Sequence, residues 1–165
     1  MAKNQGMNRF YIWATILLGV AFLLGGLTTM YLALHQRNHI IVELRDEKLE
    51  VADPQILLTY ESGRAPEGVE VPNVLIDTAT EADAQARLIR VHTMSSTGGL
   101  TYAEMDREDP GRALYITSLT LQTTLHQAHL GLELTLFITG VGLAFTGIGA
   151  GTLVIGLPLV RKVFV

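Results

Sequence analysis

The sequence contains no cysteine among its 165 residues. A disulfide framework and a thiolate metal site are therefore both excluded, so any folded segment outside a membrane must be held together by packing and hydrogen bonds. The motifs of several enzyme classes are also missing, because there is no nucleophile elbow, no HExxH sequence and no dinucleotide-binding fingerprint. The sequence therefore favours a protein that is not an enzyme and that holds no cofactor.

Charged residues are absent from two long stretches. Residues 10–34 and residues 134–160 carry no charged side chain over 25 and 27 residues, where about 20 apolar residues suffice to cross a bilayer. A cleavable signal peptide is the alternative for the first stretch, but its apolar core would have only about 7–15 residues. We therefore predict a membrane α-helical fold, in which residues 10–34 and 134–160 form a two-span antiparallel hairpin.

The distribution of charge predicts how the hairpin is oriented. Residues 1–9 and 161–165 contain Lys and Arg but no acid, and such tails are typical of the cytoplasmic side of a membrane. Residues 35–112 hold fifteen acids against eight bases, which makes nucleic acid an unfavourable partner. We expect a multi-pass protein of the bacterial cytoplasmic (inner) membrane with both termini in the cytoplasm and residues 35–133 outside.

The segment between the two spans predicts a small α+β extracytoplasmic head over residues 35–109. Residues 38–50 are compatible with either a helix or a strand, because a β-branched run precedes good helix formers. Residues 56–60 and 74–76 have the pattern of short strands. A helix over about 80–92 is indicated by Thr80 as its N-cap, with acidic residues in the first turn.

The second long helix begins with a clear start signal. Asp109 can cap the first free amides of a helix, and Pro110 suits a first helical position because its missing N–H has no partner to lose there. We expect residues 110–133 to form the exposed start of a long helix that continues into the second span.

The segment that contains this start signal resembles part of a known protein family. Residues 98–113, GGLTYAEMDREDPGRA, resemble the signature of a family of small two-span bacterial membrane proteins, whose members often carry the automatic name aromatic ring-opening dioxygenase. The segments 45–48 and 82–87 and the glycine-rich second span are also similar to that family. The resemblance implies the two-span topology and supplies no catalytic residues.

Three side chains on the second long helix form the only candidate set for a metal or haem. A non-haem iron site of the dioxygenase kind needs two His and one carboxylate around one ion, and His126, His129 and Glu133 are of these types. His126 and Glu133 lie seven residues apart, or about 10 Å along a helix, so they cannot easily reach one ion. His129 with Glu133, or His126 with His129, could share a metal that a second element completes, and one of the histidines could bind a haem or a pigment. Haem, pigment or metal binding is the alternative hypothesis.

Small residues recur at helical spacing in both spans. They predict close contact between helices, because small side chains let helix backbones approach in lipid. We expect these stripes to face each other or a neighbouring subunit. The positions are Ala14, Ala21 and Gly25 in the first span and Gly140, Ala144, Gly147 and Gly151 in the second.

A charge near the predicted membrane boundary needs a partner or water. We therefore hypothesise that Glu133 pairs with one of the basic residues that follow the first span, His35, Arg37 or His39, with Arg37 as the first choice. Together these patterns predict a non-catalytic accessory, structural or assembly subunit. Its partners would be the lipid bilayer and either other integral membrane subunits, as in a respiratory or other energy-converting complex, or further copies of itself.

Overall fold

A computed structural model describes residues 2–46 and 50–164 of the chain. Most of these residues are helical. The elements in order are α1 (Ala2–Asp46), β1 (Glu50–Ala52), α2 (Pro54–Leu57), β2 (Asn73–Leu75), α3 (Ala79–Ser96), α4 (Gly111–Gly151), a π-helical segment (Thr152–Gly156) and α5 (Leu157–Phe164). Two compact units result: the helix-pair unit contains Met1–Gln36 and Leu134–Val165, and the middle unit contains Arg37–Glu133.

Two helical stretches, Arg9–Asp46 and Gly111–Val163, are long and apolar enough to cross a membrane. Only 11% and 6% of the residues in their most apolar windows are buried within the protein. A helix that is apolar on all sides is normally buried in a protein core or in lipid. The low burial therefore distinguishes these helices from the core helices of a soluble protein.

In the helix-pair unit, α1 and α4 pack antiparallel along glycines. A Cβ atom added at Gly26 would lie 2.6 Å from the Gly142 carbonyl oxygen, and one added at Gly149 would lie 2.7 Å from that of Gly19. Phe22 and Phe145 add an edge-to-face ring contact with centroids 5.6 Å apart. The glycines are seven residues apart on each helix, so they lie on one face of each and permit backbone contact.

The π-helical segment interrupts the second long helical stretch and ends two residues before Pro158. Proline has no N–H to donate to the carbonyl four residues earlier, and its ring crowds that carbonyl. A wider helical turn is a common local adjustment to such a loss. The chain is nevertheless helical on both sides of the segment.

The middle unit contains a two-stranded antiparallel sheet, the helices α2 and α3, and parts of α1 and α4. In the sheet, Val51 pairs with Val74. The small hydrophobic core of the middle unit is centred on Ile76 and Leu125, which pack with two alanines of α3. Arg45, near the end of α1, donates hydrogen bonds to Asp77 Oδ2 at 2.5 and 3.0 Å, and this ion pair connects the end of α1 with the residues that follow β2.

The structure corrects two predictions for the middle unit. Residues 56–60 form no strand, because Asp53 caps the short helix α2 and its Oδ1 accepts a hydrogen bond from Gln55 N at 2.9 Å. Helix α3 begins after Thr78 rather than Thr80, since Thr78 and Glu81 form a complete capping box. A Glu at the third helical position completes that box, and Thr80 has Asp83 there instead.

The choice between helix and strand for residues 38–50 is settled in part. Residues 38–46 are helical and residue 50 begins β1, while residues 47–49 lie outside the described residues. The strand predicted at residues 74–76 is present as Asn73–Leu75. The helix predicted over about 80–92 is present and extends from Ala79 to Ser96.

Candidate functional site

The middle unit contains a cavity of about 780 Å³, open on one side, between the end of α1, β1, α3 and the first part of α4. Most of its lining is apolar, including Ile40, Leu44, Ile76, Ile89 and Leu125. Five polar side chains complete the lining: Glu43, Asp46, Gln85, Thr124 and Gln127. The volume is in the range of about 300–1,000 Å³ typical of pockets that bind small organic molecules.

Helical spacing explains which side chains reach the cavity. On α1, Ile40, Glu43 and Leu44 are three and four residues apart, and on α3, Gln85 and Ile89 are four apart. Residues at these spacings lie on one face of a helix. Helix α1 therefore presents two apolar side chains and two carboxylates to the cavity, and α3 presents one apolar side chain and one amide.

Gln85 is the exceptional polar group of this lining. Within residues 2–46 and 50–164, its Oε1 is the one buried side-chain nitrogen or oxygen that makes no hydrogen bond. More than about 90% of buried polar groups in proteins have a partner, and an unpaired acceptor costs about 1–3 kcal/mol. A hydrogen-bond donor brought into the cavity would remove this cost.

The charged side chains among the described lining residues are of one sign. Glu43 and Asp46 are acidic, and no basic side chain is among the described residues that line the cavity. Glu43 is 69% exposed, and its Oε1 lies 3.2 Å from Nδ1 of His39. An exposed pair of this kind is worth little, so the Glu43 carboxylate remains available to a positively charged group.

The histidines of α4 do not line the cavity. His126 Nε2 lies 3.8 Å from Asp83 Oδ1, and Asp83 is also bound by Arg87 at 3.0 Å. His129 Nδ1 lies 2.9 Å from the carbonyl oxygen of Ala79. Both histidines therefore connect α4 with the first turns of α3.

No three His, Asp or Glu side chains in the described part of the chain come together in a way that could hold a metal ion. His126, His129 and Glu133 are accordingly not gathered at one point. One ring nitrogen of His129 is occupied by the Ala79 carbonyl, which leaves the other nitrogen as its one remaining coordination position.

The pairing predicted between Glu133 and Arg37 is not seen. Both side chains are exposed. The ion pairs of the middle unit, as far as the structure describes it, involve neither residue; they are His39 with Glu43, Arg45 with Asp77, Arg87 with Asp83, and His126 with Asp83. Neither side chain is buried by protein, so neither is an unpaired charge inside a protein core.

The predicted small-residue stripes do not form the contact within the helix pair. The intramolecular contact uses Gly19, Gly26, Gly142 and Gly149. Added Cβ atoms would instead meet no atom within 4 Å at Gly25, Gly140, Gly147 and Gly151. The three alanines of the stripes, Ala14, Ala21 and Ala144, are exposed. Contact of these stripes with a neighbouring subunit, the other possibility, stays a prediction.

Residues 98–113 comprise most of the loop between α3 and α4 and the first three residues of α4. Gly98 and Gly99 have φ angles of 62° and 83°, a region that only glycine adopts easily. Arg112 lies 3.8 Å from the centre of the Tyr102 ring and donates a hydrogen bond to the Met105 carbonyl at 2.8 Å. These contacts fix the loop against the first turn of α4.

Acidic residues complete this loop. Asp109 Oδ1 accepts a hydrogen bond from the N–H of Gly111 at 2.7 Å, which is the capping contact that the sequence predicts. Glu104 accepts hydrogen bonds from the hydroxyl and the N–H of Thr101, which lower the pKa of the Glu104 carboxyl. Each acid in these contacts has a structural task at a turn or at the start of the helix.

Sequence reasoning missed the cavity. Its lining comes from segments as distant along the chain as Ile40 and Ala128, and an apolar helix face looks the same whether it packs against another helix or lines an open space. The helical spacing of Leu121, Leu125 and Ala128 was the available signal. Comparisons with protein-family models, with curated proteins and with solved structures found no match to this chain.

Proposed function

We propose that this chain is a non-catalytic integral membrane protein, an accessory or assembly subunit that packs its two spans against other membrane helices. The two long apolar helices with mostly exposed side chains support membrane insertion. The basic tails support a bacterial inner-membrane orientation with both termini in the cytoplasm and residues 35–133 outside.

The observation that carries this proposal is the second set of glycines. Gly140 and Gly147 are exposed in the interior of α4, and an added Cβ would meet nothing within 4 Å at either. Glycine inside a helix costs about 0.8–1.0 kcal/mol relative to alanine, and nothing within the pair offsets that cost here. In lipid, glycine faces serve close contact between helices, so an additional helix from another chain would use them.

The partner would be either another copy of this chain or a larger membrane assembly. We favour a larger assembly, with a respiratory or other energy-converting complex as the first candidate, because such complexes are abundant in bacterial membranes. The resemblance of residues 98–113 to small two-span membrane proteins agrees with the two-span topology and supplies no catalytic residues. The contacts of that segment, which fix a loop to a helix start, require no catalytic role for it.

Affinity purification of the tagged chain from its native membranes tests the proposal. We expect a stable co-purifying membrane protein or a defined homo-oligomer. Replacement of Gly140 and Gly147 by Ile should abolish this association, because the added side chains occupy the open face. Ile148→Phe is the matched control, since it adds bulk at an exposed position on another side of α4.

Two results would contradict the proposal. One is a chain that is recovered alone, at single-chain mass, under every mild extraction condition. The other is an association that survives Gly140→Ile and Gly147→Ile unchanged. A visible absorption band or a stoichiometric metal in the purified protein would instead support the alternative, in which His126 or His129 binds a haem, a pigment or a metal.

A further inference from the structure

The cavity of the middle unit has the size and the walls of a binding site for a small organic molecule. It measures about 780 Å³ and is lined mainly by apolar side chains such as Ile40, Ile76 and Leu125. Pockets of this kind gain affinity from the burial of an apolar ligand body. The apolar walls therefore require a ligand with an alkyl or aryl part.

The polar groups of the lining define the other end of the ligand. Gln85 contributes a buried amide oxygen with no hydrogen bond, and an acceptor without a partner is satisfied by an N–H or O–H group. The amide torsion of Gln is broad, so the oxygen can turn to a donor that enters the cavity. The ligand must therefore carry at least one donor.

The carboxylates determine the charge of that donor. Glu43 and Asp46 both line the cavity, and the described lining contains no basic group to balance them. Two carboxylates attract a cation and repel an anion in the same position. An ammonium group satisfies both conditions, because it is positively charged and carries N–H donors.

We propose that this cavity binds an amphiphilic ammonium compound, whose apolar body lies against Ile40, Ile76 and Leu125 and whose N–H groups bind Gln85 and the carboxylates of Glu43 and Asp46. The ligand is a free amine rather than an aminophospholipid. A phospholipid headgroup carries a phosphate next to its amine, and the acidic lining would repel that phosphate.

The absence of cysteine from the natural sequence permits a site-specific test on the full chain in phosphatidylcholine nanodiscs. Thr124→Cys places a thiol in the cavity lining. Thr123→Cys is the matched control, because Thr123 is also exposed but is not part of the lining. The rate of modification by a methanethiosulfonate reagent is measured for both thiols with octylammonium, octanoate or octanol present.

Octylammonium should slow the modification of Thr124→Cys and leave Thr123→Cys unchanged. At a probe concentration ten times its Kd, the expected slowing is about tenfold. Octanoate should give no protection, and octanol should give less than octylammonium. Shortening the alkyl chain by one CH2 should raise the Kd about fourfold.

Two variants test the recognition groups. Gln85→Met removes the acceptor at similar length and should raise the Kd of octylammonium about tenfold, as expected for one hydrogen bond to a charged group. The double variant Glu43→Gln with Asp46→Asn should remove the preference for octylammonium over octanoate. Both variants should keep the wild-type modification rate at Thr123→Cys, which shows that the fold is intact.

Several results would overturn this inference. Equal protection by octanoate would exclude recognition of charge, and equal protection of both thiols would show an effect of the bilayer. The absence of protection by octylammonium would exclude the site. Protection by phosphatidylethanolamine in the nanodisc, without added octylammonium, would assign the cavity to a lipid headgroup and contradict a free amine. None of these results depends on whether the spans bind a partner subunit.

Discussion

Replacement of single glycines by alanine measures how closely α1 and α4 pack. In Gly149→Ala, the new Cβ would lie 2.7 Å from the Gly19 carbonyl oxygen, which is about 0.7 Å short of ordinary contact. The obstructing oxygen belongs to the backbone of α1. Because it cannot rotate away as a side chain would, the two helices must separate. Overpacking of this kind costs about 1–3 kcal/mol.

Gly147→Ala is the matched control on the same helix. Its Cβ would meet no atom within 4 Å, so only the gain in helix propensity remains, about 0.8–1.0 kcal/mol. Because both variants share this gain, the difference between them isolates the steric cost. Gly149→Ala should therefore be less stable than Gly147→Ala by about 1–3 kcal/mol.

A disulfide reporter measures this difference. Thr15 and Gly156 approach each other in the pair, with Thr15 Cγ2 3.9 Å from the Cβ position at Gly156, so thiols at these two positions would lie close together. The double variant Thr15→Cys with Gly156→Cys is equilibrated with a thiol redox buffer, which gives the effective concentration of the two thiols. Gly149→Ala should lower that concentration about 5–150-fold relative to Gly147→Ala. An equal effect of both substitutions would refute the packing described for this pair.

Three further predictions concern the middle unit. Thr78→Ala should lower the free energy of unfolding by about 0.5–2 kcal/mol, whereas Thr80→Ala should be nearly neutral; hydrogen exchange in α3 distinguishes the two caps. Gln85→Met should leave thermal stability unchanged or raise it, since it removes a buried acceptor without a partner; a marked loss would disprove the missing hydrogen bond. The lowered pKa of Glu104 predicts that its contribution to stability is present above the ordinary pKa of 4.5 and is lost as the pH falls through the lowered value; Glu104→Gln should remove this pH dependence from exchange of the Thr101 amide.

The two long helices were predictable because the absence of charge is a property of the linear sequence. Which face of each helix meets the other was not. In α4, Gly142 with Gly149 and Gly140 with Gly147 have the same seven-residue spacing, and both lipid and a partner helix are apolar. Periodicity alone therefore could not select between the two faces.

The middle unit shows a similar limit at shorter range. Thr78 and Thr80 are both suitable caps, and the choice depends on which of them has a Glu three residues later. Asp53 followed by Pro54 is suited both to ending β1 and to starting α2. The sequence pattern predicts a strand over residues 56–60, whereas Asp53 caps a helix there. The cavity could not be predicted, because its lining combines four elements whose arrangement is set by tertiary packing.

The two glycine sets of α4 have a geometric consequence. Positions 140 and 142 are about 200° apart around a helix, so the two glycine sets lie on nearly opposite sides of α4. α1 occupies the side of Gly142 and Gly149. A helix of another chain at Gly140 and Gly147 would place three helices in one row, with α4 in the middle. Such a row is only one helix thick, so it would add a thin layer to the periphery of the assembly that it joins.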